Sequence, residues 1–253
     1  MNMKFIGIIP ARYASTRVPG KPLADICGMP MIERVYRRAA AVLPEVCVAT
    51  DDERIAEAVA RFGGRAIMTS ELHRSGTDRC YEAYTLSGSD ADVVINIQGD
   101  EPFVAPEQIR QLMACFDTAS TDIATLVRRF DPAAGWAALE NPNTPKVVLD
   151  NNMNALYFSR SVIPFVRGKE HEQWAAATPY YTHVGMYAYR AEVLARVVTM
   201  PQSQLELAES LEQLRWLQNG CRIKVAVTDS PTIGIDTPDD LRAAIEFCKQ
   251  NNL

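Results

Sequence analysis

Short apolar segments alternate with amphipathic segments along most of the chain. Phe5–Pro10, Val46–Thr50 and Asp92–Gln98 are short runs rich in valine and isoleucine, a pattern that predicts buried strands. Apolar residues recur at helical spacing in Pro30–Val42, with Pro30 expected at the first helical position, and in Glu53–Phe62. Further strands are predicted at Ala66–Thr69, Ile123–Val127 and Ile223–Val227, and further helices at Glu107–Phe116, at Leu205–Gln218 and from Pro238. This alternation predicts an α/β fold with a mostly parallel sheet and helices on its faces.

The stretch from Asn141 to Arg190 has a different pattern. Strands are predicted at Val147–Leu149, Ala155–Phe158 and His183–Tyr189 without a long helix between them, and Arg167–Pro179 is predicted to be a polar loop. We expect a single domain over residues 1–253, with a β-rich subregion at about 141–190 that forms a lid or a dimerisation surface.

The composition narrows the classes of partner. The chain has 253 residues, 47% of them hydrophobic, which is enough for a large core. The net charge of -5 gives no general attraction for nucleic acid or an anionic membrane, so local basic groups must hold any anionic ligand. Six scattered cysteines without a C-x-x-C pair indicate reduced thiols, and the apolar run at Phe5–Pro10 is too short for a signal peptide or a membrane span. These features predict a cytoplasmic protein.

A basic loop follows the first predicted strand. It contains Arg12, Arg17 and Lys21 together with Ser15 and Gly20, a set of cations and turn N–H groups that suits a triphosphate. The loop matches neither the Walker A nor the G-x-G-x-x-G pattern. A solvated basic loop without a ligand is the alternative. Ligands of α/β sheets bind beyond the carboxyl ends of the strands, which keeps the phosphate interpretation open.

Two aspartates follow predicted strands far apart in sequence. Asp100 stands in Gly99–Pro102, directly after the Asp92–Gln98 strand, and Asp236 stands in Ile233–Asp240. Magnesium takes few carboxylates together with phosphate oxygens and water, so two converging aspartates would suit it. A helix-capping signal explains Thr237, Pro238 and Asp240 but leaves Asp236 unexplained. For Asp100 the alternative is an ordinary turn aspartate.

Other polar residues allow a structural and a functional interpretation. Ser75–Arg79 predicts a helix start with Thr77 or Asp78 as the cap. His183 and Tyr187 lie on one face of a predicted strand. These two, with Arg160, Glu212 and Gln213, could bind a hydroxylated acid, but from local sequence alone an ordinary structural role is favoured.

Three motifs carry a resemblance to a known family. The string from Ile9 to Leu23 (IPARYASTRVPGKPL) resembles the signature loop of the CMP-KDO synthetases, and Gln98–Pro102 (QGDEP) and Gly234–Asp240 (GIDTPDD) resemble two further motifs of that family. The resemblance runs from Ile8 to Leu241. It implies a Rossmann-like nucleotidyltransferase fold and transfer of CMP from CTP to 3-deoxy-D-manno-octulosonate (KDO), with magnesium as cofactor. It also implies a homodimer that serves lipopolysaccharide synthesis.

The resemblance also implies roles for individual residues. The implied catalytic residues are Arg12, Arg17 and Lys21 on the phosphates and Asp100 and Asp236 on the metal. The implied nucleotide-binding set adds Ala11, Ser15, Ser75, Gly76, Thr77, Arg79 and Gln98 to those three cations. The implied sugar-binding residues are Arg160, His183, Tyr187, Glu212 and Gln213. Two departures, Pro145 and the loop Arg167–Pro179, concern the contacts of the lid.

Rival interpretations remain. The same chemistry could act on 8-amino-KDO, whereas a sialic acid is disfavoured by the H-x-G-x-Y and L-E-Q-L strings at His183–Tyr187 and Leu211–Leu214. A nucleotidyltransferase that uses UTP or GTP with a sugar phosphate is another possibility. A non-catalytic nucleotide-binding regulator should have lost some of the cations or carboxylates, and all of them are present.

Overall fold

The structure is a computed structural model that describes residues 3–14 and 18–251. The described chain divides into two compact units. Unit 1 contains the described residues of 1–110, 188–198 and 230–253, and unit 2 contains residues 111–187 and 199–229. The β-rich stretch predicted at about 141–190 belongs to unit 2, apart from its last three residues. The single-domain interpretation stays a prediction.

Unit 1 is built on parallel strands. The strands and helices assigned here are β1 (Phe5–Ala11), β2 (Asp25–Ile26), β3 (Met29–Pro30), α1 (Met31–Ala40), β4 (Val46–Thr50), α2 (Glu53–Arg61), β5 (Ala66–Met68), α3 (Gly76–Ser87), β6 (Val93–Asn96), the start of α4 (Pro106–Ala114), α7 (Ala191–Val197) and α10 (Pro238–Gln250). The strand order is β6-β1-β4-β5, and each pair is parallel. Helices α1, α2 and α3 pack against this sheet. The predicted α/β alternation is therefore confirmed.

The core of unit 1 follows from the apolar runs. Every residue of β4 and β6 is buried, as expected for strands covered on both faces. The β2–β3 hairpin turns at Cys27 and Gly28, whose φ angles of 52° and 82° are both left-handed. Two-residue hairpins favour such a turn because its twist matches that of the strands.

Unit 2 has a mixed sheet. Its strands and helices are the end of α4, β7 (Ile123–Arg129), α5 (Trp136–Leu139), β8 (Lys146–Leu149), β9 (Ala155–Ser159), α6 (Trp174–Ala177), most of β10 (Tyr181–Arg190), α8 (Gln204–Glu209), α9 (Gln213–Gln218) and β11 (Ile223–Val227). β11 pairs with β7 in parallel, and β8 is antiparallel to both β9 and β10. The strands predicted from Asn141 to Arg190 are thus confirmed, and the role of this region as a lid or dimerisation surface stays a prediction.

Three sequence predictions were wrong in detail. The helix predicted at Leu205–Gln218 is two helices, α8 and α9, because Ser210 adopts a left-handed conformation with φ of 50° and ends the first. The loop predicted at Arg167–Pro179 contains a 3-10 turn at His171–Gln173 followed by α6. Pro30 precedes α1 as its N-cap and is not its first helical residue. No helix of the described chain is long and apolar enough to cross a membrane.

Candidate functional site

A cleft of about 310 Å³ opens at the carboxyl ends of the unit 1 strands. The predicted residues that line it are Ala11, Arg12, Lys21, Gln98, Asp100 and Asp236. These side chains come from the segments after β1, after β6 and before α10, which are far apart in sequence. The parallel sheet brings them together because all its strands end at one edge.

Lys21 lines this cleft and contacts both aspartates. Gly20 has a left-handed φ of 65°, and a short 3-10 turn over Lys21–Leu23 follows it. The Lys21 ammonium donates to Oδ2 of Asp100 at 2.8 Å and to the carbonyl oxygen of Ile235 at 2.7 Å. It also lies 3.6 Å from Oδ1 of Asp236. One cation therefore bridges the two aspartates predicted to hold magnesium.

The backbone around Asp100 approaches β1 closely. A Cβ atom at Gly99 would lie 2.7 Å from the carbonyl oxygen of Pro10, which is closer than side-chain atoms tolerate. The carbonyl oxygen of Asp100 accepts a hydrogen bond from the Ile235 N–H at 3.0 Å. Only glycine allows this close approach, so Gly99 is what places Asp100 beside Lys21.

Asp236 precedes a helix with a capped N-terminus, and no strand of the described chain lies between β11 and that helix, so the strand predicted before Asp236 was wrong. The Thr237 hydroxyl accepts from the Asp240 N–H, and Asp240 accepts in return from the backbone N–H of Thr237, so α10 begins with a capping box. The capping interpretation of Thr237, Pro238 and Asp240 is confirmed. The carboxylate of Asp236 faces Lys21 instead and remains a candidate ligand.

The donor set of the cleft fits magnesium. Among the described residues, no cluster of three or more histidine, cysteine, aspartate or glutamate side chains could hold a metal by protein ligands alone. Asp100 and Asp236 supply two carboxylates at one place, and magnesium usually takes one or two carboxylates with phosphate oxygens and water. Burial, and to a smaller extent the charge of Asp100, together raise the pKa of the adjacent Glu101 to about 7. That carboxyl is therefore a poorer ligand than its neighbour.

Arg12 contacts the segment before α3. Its guanidinium donates to the carbonyl oxygen of His73. The His73 ring in turn pairs with Oε2 of Glu82 at 2.5 Å, and the same oxygen accepts the Ser70 N–H at 2.7 Å. Glu82 on α3 thus contacts both Ser70 and His73 in the segment to which Arg12 donates.

The predicted nucleotide-binding residues at the start of α3 have different surroundings. Ser75 is the N-cap and accepts from the Asp78 N–H at 3.1 Å, so the expected cap at Thr77 or Asp78 was wrong. A Cβ atom at Gly76 would lie 3.6 Å from the Pro10 ring, which places this helix start beside the end of β1.

Arg79 is fully buried inside unit 1. Its guanidinium pairs with Asp51 at 2.6 Å and donates to Oγ1 of Thr69 at 2.6 Å. Thr77 is buried as well. The structure gives Arg79 a visible role in joining the ends of β4 and β5 to α3, and its nucleotide role stays a prediction.

Within unit 2, Thr125 joins the predicted sugar-binding residues of β10. Its hydroxyl oxygen lies 2.9 Å from Nε2 of His183 and 2.8 Å from the carbonyl oxygen of Met186. The His183 and Tyr187 rings are 5.3 Å apart, as expected for one face of a strand. Burial lowers the pKa of His183 to about 4, so its ring is neutral near pH 7.

Glu212 and Gln213 stand at the start of α9. Oε1 of Glu212 accepts from Arg215 at 2.7 Å, and Gln213 is buried. Burial raises the pKa of Tyr187 well above its usual range, the charge of Glu212 raises it further, and the Thr125 hydroxyl opposes both effects. His183, Tyr187 and Glu212 therefore form one group of polar side chains in unit 2.

Arg160 is held by backbone carbonyl groups. Its guanidinium donates to the carbonyl oxygens of Glu209 at 2.6 Å, Pro142 at 2.9 Å and Ser210 at 3.2 Å. These contacts fix the Ser210 turn that leads into α9. The structure shows this structural role for Arg160, and its sugar-binding role stays a prediction.

Three residues that contact the predicted site residues have no signal in the sequence. Thr125, Arg215 and Asp51 carried no motif, because a single threonine in a strand or an arginine on a helix is ordinary. The predicted residues Ser15 and Arg17 lie outside the described residues, so their roles stay predictions.

Comparison with known proteins identifies the protein family of this chain. A family model described as cytidylyltransferase matches residues 6–223. A curated 3-deoxy-manno-octulosonate cytidylyltransferase of Parabacteroides distasonis is 61% identical over 97% of this chain and 98% of its own length. Its counterpart in Bacteroides thetaiotaomicron is 60% identical over 99% of this chain and 100% of its own length.

Solved structures agree with the sequence comparison. A CMP:2-keto-3-deoxy-manno-octonic acid synthetase complexed with CTP superposes with a TM-score of 0.89 at 44% identity and covers 98% of this chain and 99% of its own. A thymidylyltransferase-like structure from Bacillus anthracis, at 17% identity and a TM-score of 0.63, shares the fold alone. The chain belongs to the cytidylyltransferase family, within the group of 3-deoxy-manno-octulosonate cytidylyltransferases. The predicted nucleotidyltransferase fold is thereby confirmed.

Proposed function

We propose that this enzyme transfers CMP from CTP to the anomeric hydroxyl of KDO and releases pyrophosphate. The proposal depends chiefly on one observation, the convergence of Lys21, Asp100 and Asp236 in the cleft of unit 1. The 61% identity to a curated enzyme of that name supports the choice of CTP and KDO as substrates.

The reaction is a displacement at phosphorus. The anomeric oxygen of the sugar forms a bond to the α-phosphorus of CTP, the bond from that phosphorus to the bridging oxygen breaks, and pyrophosphate leaves with the electron pair. The hydroxyl proton is released to water as the new bond forms. Negative charge grows on the phosphate oxygens, and the fixed cations Arg12 and Lys21 are placed in the cleft to neutralise it. Arg17 is proposed to add a third cation.

Asp100 and Asp236 would hold magnesium in the working enzyme. The bound ion would supply positive charge at the phosphates and lower the pKa of the attacking hydroxyl. In the structure, the Lys21 ammonium pairs with both carboxylates, and its single charge offsets only one of the two. We expect Lys21 to exchange these partners for phosphate oxygens when the nucleotide binds, because an ammonium group serves either anion as a point charge.

The polar group of unit 2 is proposed to bind the sugar. The neutral His183 ring, the Tyr187 hydroxyl and the Glu212 carboxylate offer donors and acceptors for several hydroxyl groups. Arg160 and Gln213 complete the proposed set. We further propose that the enzyme works in the cytoplasm as a homodimer through its β-rich region and that its product serves lipopolysaccharide synthesis.

One experiment tests which nucleotide and which sugar the enzyme uses. The purified protein is mixed with magnesium, KDO and each of the four nucleoside triphosphates in turn, and pyrophosphate release is followed. Release with CTP alone, and only with KDO present, is expected. Release that needs 8-amino-KDO instead would replace the sugar and keep the chemistry. CTP binding without release in any mixture would favour a non-catalytic regulator.

A further inference from the structure

Thr125 is fully buried in β7 and its hydroxyl contacts three groups on β10. The oxygen lies 2.8 Å from the Met186 carbonyl oxygen, 3.4 Å from the Val184 carbonyl oxygen and 2.9 Å from Nε2 of His183. A threonine hydroxyl has one proton to donate and two lone pairs that accept. The group to which Thr125 donates this proton determines which ring nitrogen of His183 is protonated.

Carbonyl oxygens only accept hydrogen bonds, so the short contact to Met186 requires the Thr125 proton. If the proton pointed to His183 instead, two oxygen atoms would face each other at 2.8 Å without a hydrogen between them. The Thr125 oxygen must therefore accept from His183, whose Nε2 carries the ring proton.

The other ring nitrogen then has a lone pair. The His183 ring is neutral, since burial keeps its pKa at about 4, and it packs against the Phe158 and Tyr187 rings at 5.2 and 5.3 Å. Within residues 3–14 and 18–251, no hydrogen bond joins Nδ1 of His183 to another residue. A neutral imidazole protonated at Nε2 is an acceptor at Nδ1.

We infer that Thr125 is a positioning residue that fixes His183 as the Nε2–H tautomer and so makes Nδ1 the acceptor for a hydroxyl group of the sugar. The tautomer follows from the contacts of unit 2 alone, whereas its use in sugar binding rests on the proposed function. A site built to accept a particular hydroxyl group discriminates strongly against analogues that lack it. Thr125 would thus contribute to substrate choice without touching the substrate.

Nitrogen-15 NMR of histidine-labelled protein tests the tautomer directly. The chain has three histidines, so a His183→Gln variant assigns the signals. Near pH 7 the unliganded wild type is expected to show a protonated Nε2 and an unprotonated Nδ1 at His183. Thr125→Val keeps the side-chain volume, removes the hydroxyl and should shift the ring toward a mixture of tautomers. Thr125→Ser should restore the wild-type signals.

Thr121→Val is the matched control. Thr121 is also buried in unit 2 and donates to the Cys115 carbonyl oxygen at 2.7 Å, so its loss should cost similar stability and leave the His183 signals unchanged. In turnover assays, Thr125→Val is expected to raise the KM for KDO about tenfold, the effect of one lost hydrogen bond of about 1.4 kcal/mol. CTP affinity should stay within about twofold, and Thr125→Ser should recover most of the loss.

The possible results distinguish a failure of the inference from a failure of the proposed function. A wild-type His183 protonated at Nδ1, or tautomer signals unchanged in Thr125→Val, would overturn the inference even if the enzyme is active. If Thr125→Val does not fold, the wild-type and Thr125→Ser tautomers still decide it. The expected tautomer in a protein that turns over no acid sugar would leave the Thr125–His183 pair standing and overturn the proposed function together with the sugar role.

Discussion

The ammonium nitrogen of Lys21 lies 2.8 Å from Oδ2 of Asp100. The contact joins the segment after β1 to the segment after β6, which are separated by 79 residues. The two side chains are 16% and 34% exposed, so water weakens their attraction, and a phosphate anion could compete for the lysine. The pair therefore links the two segments that line the cleft and leaves the lysine able to exchange its partner.

Removal of the Lys21 charge should abolish most of the turnover. We expect Lys21→Met to lower kcat/KM by about 10²–10³-fold, because a cation aimed at developing phosphate charge is lost. Lys4→Met removes an exposed lysine paired with Asp90 at the other end of β1 and is the control. Steady-state kinetics of both variants with CTP and KDO would measure the difference. A change of less than about threefold for Lys21→Met would argue against its role.

The two aspartates should govern the response to magnesium. We expect chelation to abolish turnover, and Asp100→Asn and Asp236→Asn to need at least about tenfold more magnesium for half-maximal rate, since each loses a charged ligand. Asp239→Asn, at an exposed aspartate paired with Arg242, is the control. Magnesium titrations of initial rate provide the measurement. Normal magnesium dependence in Asp100→Asn would remove that residue from the metal site.

A methyl group at Gly99 should displace the Asp100 segment. We expect Gly99→Ala to cost about 1–3 kcal/mol of unfolding free energy and to reduce turnover, because the added Cβ would lie 2.7 Å from a backbone oxygen that cannot rotate away. Gly234→Ala, where nothing lies within 4 Å of the added atom, should be tolerated. Denaturant unfolding and kinetics of the two variants should differ, and equal behaviour would mean that the close approach is unimportant.

Asp51 should be needed for stability. Its loss would leave the Arg79 guanidinium buried without its counter-ion, and breaking a buried pair in this way costs about 3–5 kcal/mol. Because Asp51 is itself 17% exposed, we expect Asp51→Ala to lie near the lower figure. Glu107→Ala breaks an exposed pair with Arg110 and should cost less than about 1 kcal/mol. Chemical denaturation would measure both, and similar small losses would contradict the structural role of Arg79.

His183 should make the fold less stable in mild acid. Its pKa in the native protein is about 4, below the ordinary value of 6.5, so between these values the unfolded chain binds a proton that the native chain does not. The free energy of unfolding should fall by up to about 1.4 kcal/mol per pH unit as the pH drops through this window, and the effect should end below pH 4.

The comparison of wild type with His183→Gln isolates this contribution. The wild type should lose stability more steeply between pH 6.5 and 4, because the glutamine has no proton to gain. Denaturant unfolding at several pH values measures the two slopes, and proton NMR titration of His183 gives its pKa directly. Parallel slopes, or a His183 pKa near 6.5, would contradict the neutral state of the ring.

The sequence predicted regular elements better than the breaks between them. The strands β4 and β11 have the predicted bounds because a short run of mostly apolar residues directly indicates a buried strand. The break at Ser210 was missed because Leu205–Gln218 keeps helical spacing, and a left-handed serine has no composition signal comparable to glycine. Trp174 ends up buried in a short helix within a segment that looked like a polar loop, because its partners come from elsewhere in unit 2.

The sequence by itself determined which charges the candidate site contains. The basic loop, the two aspartates and the strand pattern are local features, and local features also carried the resemblance to the family. Only the tertiary structure decided that Lys21 bridges both aspartates, that Arg79 is buried against Asp51, and that Thr125 holds His183. The physical reason is that periodicity specifies which side chains are buried, whereas hydrogen-bond partners depend on distances between segments that only sheet pairing brings together.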